Sequence, residues 1–167
     1  ALHAGESPAV AQAIFEHYLP RFAGDDVPRT TPGMLIALAD RLDSLVGLFA
    51  TGLAPTGSAD PYALRRAAVG VVQLLLDRQV PLALRSAVDA AASVQPLDVS
   101  EGVRDEVLSF IQQRLRGVLL DEGLRHDVVD AVLAEQGSEP LRAAQSARAL
   151  QSMVDLPDWN SILVAYA

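Results

Sequence analysis

Apolar residues recur along this chain at intervals of three and four, and β-branched residues do not alternate with polar ones, so the pattern predicts helices and almost no strand. Ser7-Pro8 reads as an N-cap followed by proline in the first turn, opening a helix in which Val10, Ile14 and Tyr18 share one face up to Pro20. After the loop from Gly24 to Thr30, Thr31-Pro32 repeats that start signal ahead of Leu35, Leu38, Leu42, Leu45 and Phe49. A third copy is Asp60-Pro61, which follows the turn-forming stretch Pro55-Thr56-Gly57-Ser58-Ala59. It opens a helix whose Leu64, Ala67, Ala68, Val71, Leu74 and Leu75 face inward. Gly70 within that helix costs about 1 kcal/mol relative to alanine, a loss that a close approach between helices offsets.

Pro81 begins a further short helix, and the periodicity lapses around Ser93 to Asp98. Ser100-Glu101 restarts it into Val103, Val107, Phe110, Ile111, Leu115 and Leu119, with Gly123 as the stop. Asp127 to Leu133 forms the next helix, Gly137 to Pro140 is a stop and restart leading to Leu141, Ala144, Ala147 and Leu150, and a last helix starts at Pro157-Asp158-Trp159. The connections are mostly a few residues long and no self-similar period occurs, so the expected fold is all-α, an antiparallel helical bundle and not a solenoid. A soft boundary near Gln95 divides it into segments 1–95 and 96–167.

Composition narrows the chemistry. Half of the 167 residues are hydrophobic, enough for a core that needs no staple, which excludes disorder as a general description. Cysteine is absent, removing disulfides, thiolate zinc sites and a cysteine nucleophile. All 13 basic side chains are arginine, which removes the lysine of phosphate-binding loops and of Schiff bases. Set against 21 acidic residues they leave a net charge of −8, so indiscriminate affinity for nucleic acid is not expected. The longest uncharged stretch, Ser44 to Ala59, is interrupted by glycine and proline and falls short of a membrane span, so the chain reads as soluble with no membrane partner. Beginning at Ala1 and ending in the apolar run Ile162 to Ala167, it reads as an interior piece of a longer protein.

Three groups of residues are candidates for chemistry. His126-Asp127 has the form of a metal-binding doublet of helical phosphohydrolases, but its neighbours Arg125 and Asp130 make it the polar face of an amphipathic helix. His17 and Asp40 fall on successive helices that can bring them together, either as two ligands of a weak metal site or with Asp40 paired to an arginine and His17 in a loop hydrogen bond. Arg65 and Arg66, in the opening turns of a helix, are the best anion site, since backbone amides and guanidinium forks both suit phosphate. The alternative is that one faces solvent while the other pairs with Asp40, Asp43 or Asp60. Scarce aromatic residues argue against extensive base stacking.

The stretch from Glu16 through Pro20-Arg21-Phe22 to Pro28, the segment Ala37-Leu38-Ala39-Asp40-Arg41-Leu42-Asp43 to Phe49, and above all Pro55-Thr56-Gly57-Ser58-Ala59-Asp60-Pro61-Tyr62-Ala63-Leu64-Arg65-Arg66 to Val71, resemble the β subunit of bacterial-type glycyl-tRNA synthetase. The likeness continues through Phe110 to Leu115 and Asp127 to Ala134 and covers essentially the whole chain. It departs from the family's pattern at Ala59 and Arg41, where lysine is usual; Arg41 keeps the charge and Ala59 does not. The resemblance implies a fragment of a two-subunit glycine-tRNA ligase. In that family the α subunit makes glycyl adenylate with ATP and Mg, and the β subunit grips tRNA(Gly).

On this resemblance, residues 1–95 are the later part of an HD-like helical domain and residues 96–167 lead into the anticodon-binding region. The fragment itself is expected to be non-catalytic and to bind no cofactor. Its partners would be tRNA(Gly), the α subunit and the rest of the β subunit, in the bacterial cytoplasm or in a plastid. Arg65 and Arg66, with Ser58 and the turn amides, would touch tRNA phosphates or support the surface that does, and His17 and Asp40 would be degenerate metal positions. Two readings compete with this one: a remnant of a metal-dependent HD-type phosphohydrolase, and a purely structural module for subunit interaction.

Overall fold

The computed structural model describes residues 1–22, 24–159 and 164–165. Among them a short 3-10 turn, Leu2–Ala4, precedes seven α-helices: α1 Pro8–Glu16, α2 Thr31–Ala50, α3 Leu64–Asp77, α4 Leu84–Ser93, α5 Glu101–Asp121, α6 His126–Gln136 and α7 Pro140–Val154. No strand is present among the described residues, so the all-α bundle expected from periodicity is what forms. The helix predicted from Pro157 onward falls largely on residues 160–163 and 166–167, outside the described set.

α3 meets α7, and α5 packs against α2, α3, α4, α6 and α7. Its Val107, Ile111, Leu115 and Leu119 are fully shielded from solvent, as the period of three and four requires. One buried apolar cluster extends from Met34 in α2 to Ala147 in α7, so residues on both sides of position 95 share a core. Gln95 itself is a tie: its side-chain amide donates to Asp43 Oδ1 at 2.7 Å and lies against Gly47, joining the end of α4 to α2. At the surface, Arg85 reaches Glu101 at 2.9 Å and Asp105 at 2.5 Å, linking α4 to α5, while Arg116 with Asp130 links α5 to α6. Exposed pairs of this kind contribute about 1 kcal/mol at most.

Several start signals shift by a few residues. Ser7 and Ser100 cap α1 and α5 as expected, whereas α2 is capped by Thr30, whose hydroxyl accepts from Gly33 N at 3.1 Å. α4 begins at Leu84, three residues after Pro81. α3 begins at Leu64 and not at Pro61, because Ala63 takes a left-handed conformation (φ 55°) and Pro61 to Ala63 form a turn.

The largest departure is at α1. Val10 and Ile14 are exposed, Tyr18 lies beyond the helix end and is 64% exposed, and the buried residues are Ala13 and Glu16, on a face rotated away from the predicted stripe. Two polar anchors turn the helix this way. The Glu16 carboxylate accepts from Thr30 N at 3.0 Å, from the Thr30 hydroxyl and from Gln12 at 2.9 Å, seated at the positive end of α2. A Cβ on Gly33 would lie 2.7 Å from Glu16 Cβ, so α2 has glycine where the carboxylate docks. From α2, Arg41 extends beneath the end of α1 and donates to the carbonyls of His17 (3.0 Å), Leu19 (2.9 Å) and Pro20 (3.1 Å), as well as to Ala37 in its own helix. These carbonyls follow the last turn of α1 and would otherwise lack partners.

Gly70 is part of the same arrangement. A Cβ there would come within 2.5 Å of Arg41 Nε, so the close approach anticipated at this glycine is a helix passing over an arginine side chain. α1, α2 and α3 meet at this guanidinium.

Candidate arginine and aromatic site

Arg65 and Arg66 are adjacent in sequence but have different surroundings. The Arg65 guanidinium folds back over the preceding loop and donates to Gly57 O at 2.6 Å and Ala59 O at 3.4 Å. That loop is a tight turn in which Thr56 and Ala59 exchange backbone hydrogen bonds, Gly57 has φ 51°, and Ser58 stands exposed at the tip. The amides at the start of α3 are already engaged: Asp60 accepts from Leu64 N at 2.8 Å and from Arg65 N at 3.0 Å. A carboxylate therefore occupies the position offered to a phosphate by a bare helix terminus. This is the capping role foreseen for Asp60, carried out from a residue farther from the helix.

Arg66 is exposed and, among the described residues, has no hydrogen-bonding or carboxylate partner. It stands over a hollow of about 420 Å³ whose other walls include His17, Tyr18, Arg21, Asp40, Arg41 and Tyr62. Of the guanidiniums there, Arg21 is held by Asp25 through paired contacts of 2.8 and 3.0 Å, and Arg41 by backbone carbonyls. The Arg21 guanidinium holds the Asp25 carboxyl well below the usual carboxylate range. Burial pushes the Arg41 pKa down and nearby Asp40 opposes the shift.

His17 and Asp40 line the same hollow, as the two-helix placement predicted. The His17 ring donates from Nδ1 to Ile14 O at 2.5 Å and packs 3.8 Å, centroid to centroid, from Tyr18. Asp40 makes no ion pair within 4 Å among the described residues, in contrast to the arginine pairing weighed for it. No group of three or more His, Asp or Glu among the described residues is placed to share a metal ion. Arg41 and Arg66 lie around the two candidates instead. His126-Asp127 belongs to the surface, with Asp127 paired to Arg125 at 2.6 Å and accepting from Val128 N at the start of α6.

The sequence names Arg41 only as a retained charge and does not single out Arg114, and the surroundings of both come from the structure. Arg41 lies three residues after Leu38 and four before Leu45, on the buried stripe, and that register was the available signal. Arg114 stacks over Phe110 with its guanidinium carbon 4.4 Å from the ring centroid, a contact that the spacing of four on one helix makes available. Its Nε is buried without a hydrogen-bond partner, and its pKa is lowered first by burial and then by the charge of Arg65, with Asp60 opposing.

These elements define a helical scaffold in which guanidinium groups are fixed by backbone carbonyls and one more is left open to solvent. The chain belongs to the glycyl-tRNA synthetase beta subunit family, whose model matches residues 1–134. It is similar to the glycine-tRNA ligase beta subunit of Syntrophus aciditrophicus, 41% identical over 99% of the chain and 24% of that protein, and to that of Shouchella clausii, 51% identical over 78% of the chain and 20% of that protein. A plant relative from Arabidopsis thaliana, glycine-tRNA ligase, chloroplastic/mitochondrial 2, is 41% identical over the whole chain and 16% of its own length. The chain thus spans about a quarter or less of the length of these curated relatives.

Proposed function

We propose that this chain is a tRNA-positioning part of a glycine-tRNA ligase β subunit, supporting the ATP-dependent attachment of glycine to tRNA(Gly). The adenylating chemistry, with its ATP and Mg, belongs on this reading to the α subunit, and the residues described above hold and do not react. Residues 1–95 correspond to the HD-like part and 96–167 to the start of the anticodon-binding region, joined through their common core. The compartment is the cytoplasm in a bacterium and the organelle for a plant form. No described helix is long and apolar enough to cross a membrane.

The observation that carries this reading is Arg66: an exposed, unpartnered guanidinium on a rigid helix, beside two arginines whose positions are fixed, in a chain of net charge −8. Phosphate contacts supply most of the affinity in nucleic-acid binding, so a locally inverted charge is the feature such a module needs. On this reading Arg65 and Ser58 support the surface, since Arg65 braces the turn from which Ser58 projects. Titrating tRNA(Gly) against the complete ligase tests it. Arg66→Ala is expected to weaken binding several-fold and to reduce the salt slope by about 1. Unchanged affinity and slope would remove Arg66 from the contact surface.

A further inference from the structure

The hollow beneath Arg66 does not end there. A second depression of about 340 Å³, lined by Pro20, Phe22, Arg65, Arg66, Val69 and Gln73, shares Pro20 and Arg66 with the first. The strip they make differs from the rest of the surface in two independent respects. Four guanidiniums line it, those of Arg21, Arg41, Arg65 and Arg66, with Asp40 the one carboxylate in the lining; Arg21 is paired with Asp25, and Arg66 has no carboxylate partner among the described residues, in a molecule whose acidic residues outnumber its basic ones. It also gathers three of the chain's few aromatic rings in exposed positions: Tyr18 (64%), Phe22 (60%) and Tyr62 (51%).

Tyr18 already packs against the His17 ring at 3.8 Å and Phe22 lies 5.8 Å from the Arg21 guanidinium, so rings and cations are interleaved along the strip, an arrangement suited to a flat, anionic ligand. Tyr18 and Tyr62 belong to the first hollow, Phe22 to the second, and Arg66 faces both. Alternation of flat apolar faces with a central cation is the chemistry of a single nucleic-acid strand: bases stack on rings and the intervening phosphate meets the guanidinium. Duplex RNA, with its bases already stacked, has no use for the rings.

We propose that this strip binds single-stranded RNA and seats two successive nucleotides, one base against Tyr18 and Tyr62, the next against Phe22, with the phosphate between them on Arg66. This rests on the tRNA-positioning role above and specifies an unpaired segment as what is held. Asp40 and the free Nε2 of His17 are the polar groups available to the first base or its ribose, Asp40 as an acceptor and Nε2 as an acceptor while the ring is neutral.

The test uses the complete ligase and a fluorescein-labelled, short single-stranded oligoribonucleotide of mixed sequence, with a blunt RNA duplex as comparison. Tyr18→Ala and Tyr62→Ala are each expected to weaken binding of the single strand about fivefold to a hundredfold, the range for loss of one stacked base, while Tyr18→Phe and Tyr62→Phe retain it. All three rings are exposed, so thermal unfolding of the variants should stay close to that of the parent. An oligonucleotide carrying thiouridine should crosslink on irradiation to peptides containing Tyr18, Phe22 or Tyr62. Equal affinity of parent and alanine variants, duplex binding as tight as single-strand binding, or crosslinks confined to other surfaces would overturn the proposal. If the ring deletions do nothing while Arg66→Ala still weakens tRNA(Gly), the stacking site fails and the positioning role stands. If the ring deletions weaken the oligonucleotide but Arg66→Ala leaves tRNA(Gly) unaffected, the rings bind single strands, but the phosphate seat on Arg66 and the positioning role that depends on it both fail.

Discussion

At the scale of single residues, two buried charges organise the corner where α1, α2 and α3 meet, and neither has an ion-pair partner. Arg41 is satisfied by carbonyl oxygens alone, an arrangement that suits the planar fork of arginine and would leave the ammonium of a lysine short of donors. Arg41→Lys is therefore expected to cost about 1–3 kcal/mol in urea denaturation, the penalty for buried acceptors left unpaired. Gly70 supplies a stricter test. Glycine to alanine inside a helix ordinarily stabilises by about 1 kcal/mol. Here the added Cβ would displace Arg41, so Gly70→Ala should destabilise the parent yet become stabilising in an Arg41→Ala background. The same sign in both backgrounds would show that the side chain is not what glycine makes room for.

Glu16 has a signature in pH. Burial by itself would raise its pKa, but donors from Thr30 and Gln12 prevail and hold it down from about 4.5 to about 2. A carboxylate whose folded pKa lies below its unfolded value adds stability that is complete above about pH 4.5 and is lost as pH falls toward 2. The stability difference between the parent and Glu16→Gln should accordingly be constant above pH 5 and shrink on acidification through that window, measured by denaturant unfolding at stepped pH. A difference independent of pH would assign the effect of Glu16 to shape and not to charge.

At the scale of elements, apolar spacing predicts which helices form better than which way they turn. α2 and α5 show this within one period: Leu38, Leu42 and Leu45 are buried as expected, while Leu35, assigned to the same face, is 57% exposed. Leu115→Ala, in the fully buried stripe of α5, should cost about 2–5 kcal/mol, and Leu35→Ala less than about 0.5 kcal/mol, both by shift of the denaturation midpoint. α1 was misread for a related reason. Its apolar residues describe a clean stripe, but it is short, and docking through Glu16 and Arg41 determines its rotation. The start of α3 was recognised through Asp60 yet displaced, because the left-handed Ala63 lets a capping carboxylate act from outside the first turn.

At the scale of the whole molecule, the fold class and the family were legible, and the site was half legible. Arg65 and Arg66 look equivalent in sequence; only their surroundings separate a brace, held by Gly57 and Ala59, from an open guanidinium. The scarcity of aromatic residues argued against stacking, but the structure brings three of them to one strip, so their placement matters more than their number. His17 and Asp40 do converge, but on a hollow walled by arginines, and two ligands hold a divalent ion weakly. Manganese, iron(II) or zinc should leave the thermal midpoint unchanged, since an ion that does not bind the native state cannot raise it. A rise with metal concentration that Asp40→Ala abolishes would revive the metal-dependent reading.

The order of apolar and polar residues by itself determined that this chain is helical, roughly where its helices start and stop, and, through a few motifs, its family. These follow from local rules of period and capping, which need no knowledge of what lies across the core. Tertiary structure alone decided that Arg41 is enclosed and Arg66 open, that Glu16 turns inward, and that Tyr18, Phe22 and Tyr62 share a surface. Each of these depends on groups far apart in sequence competing for the same hydrogen-bond partners and the same space, and the outcome is settled only when the helices pack.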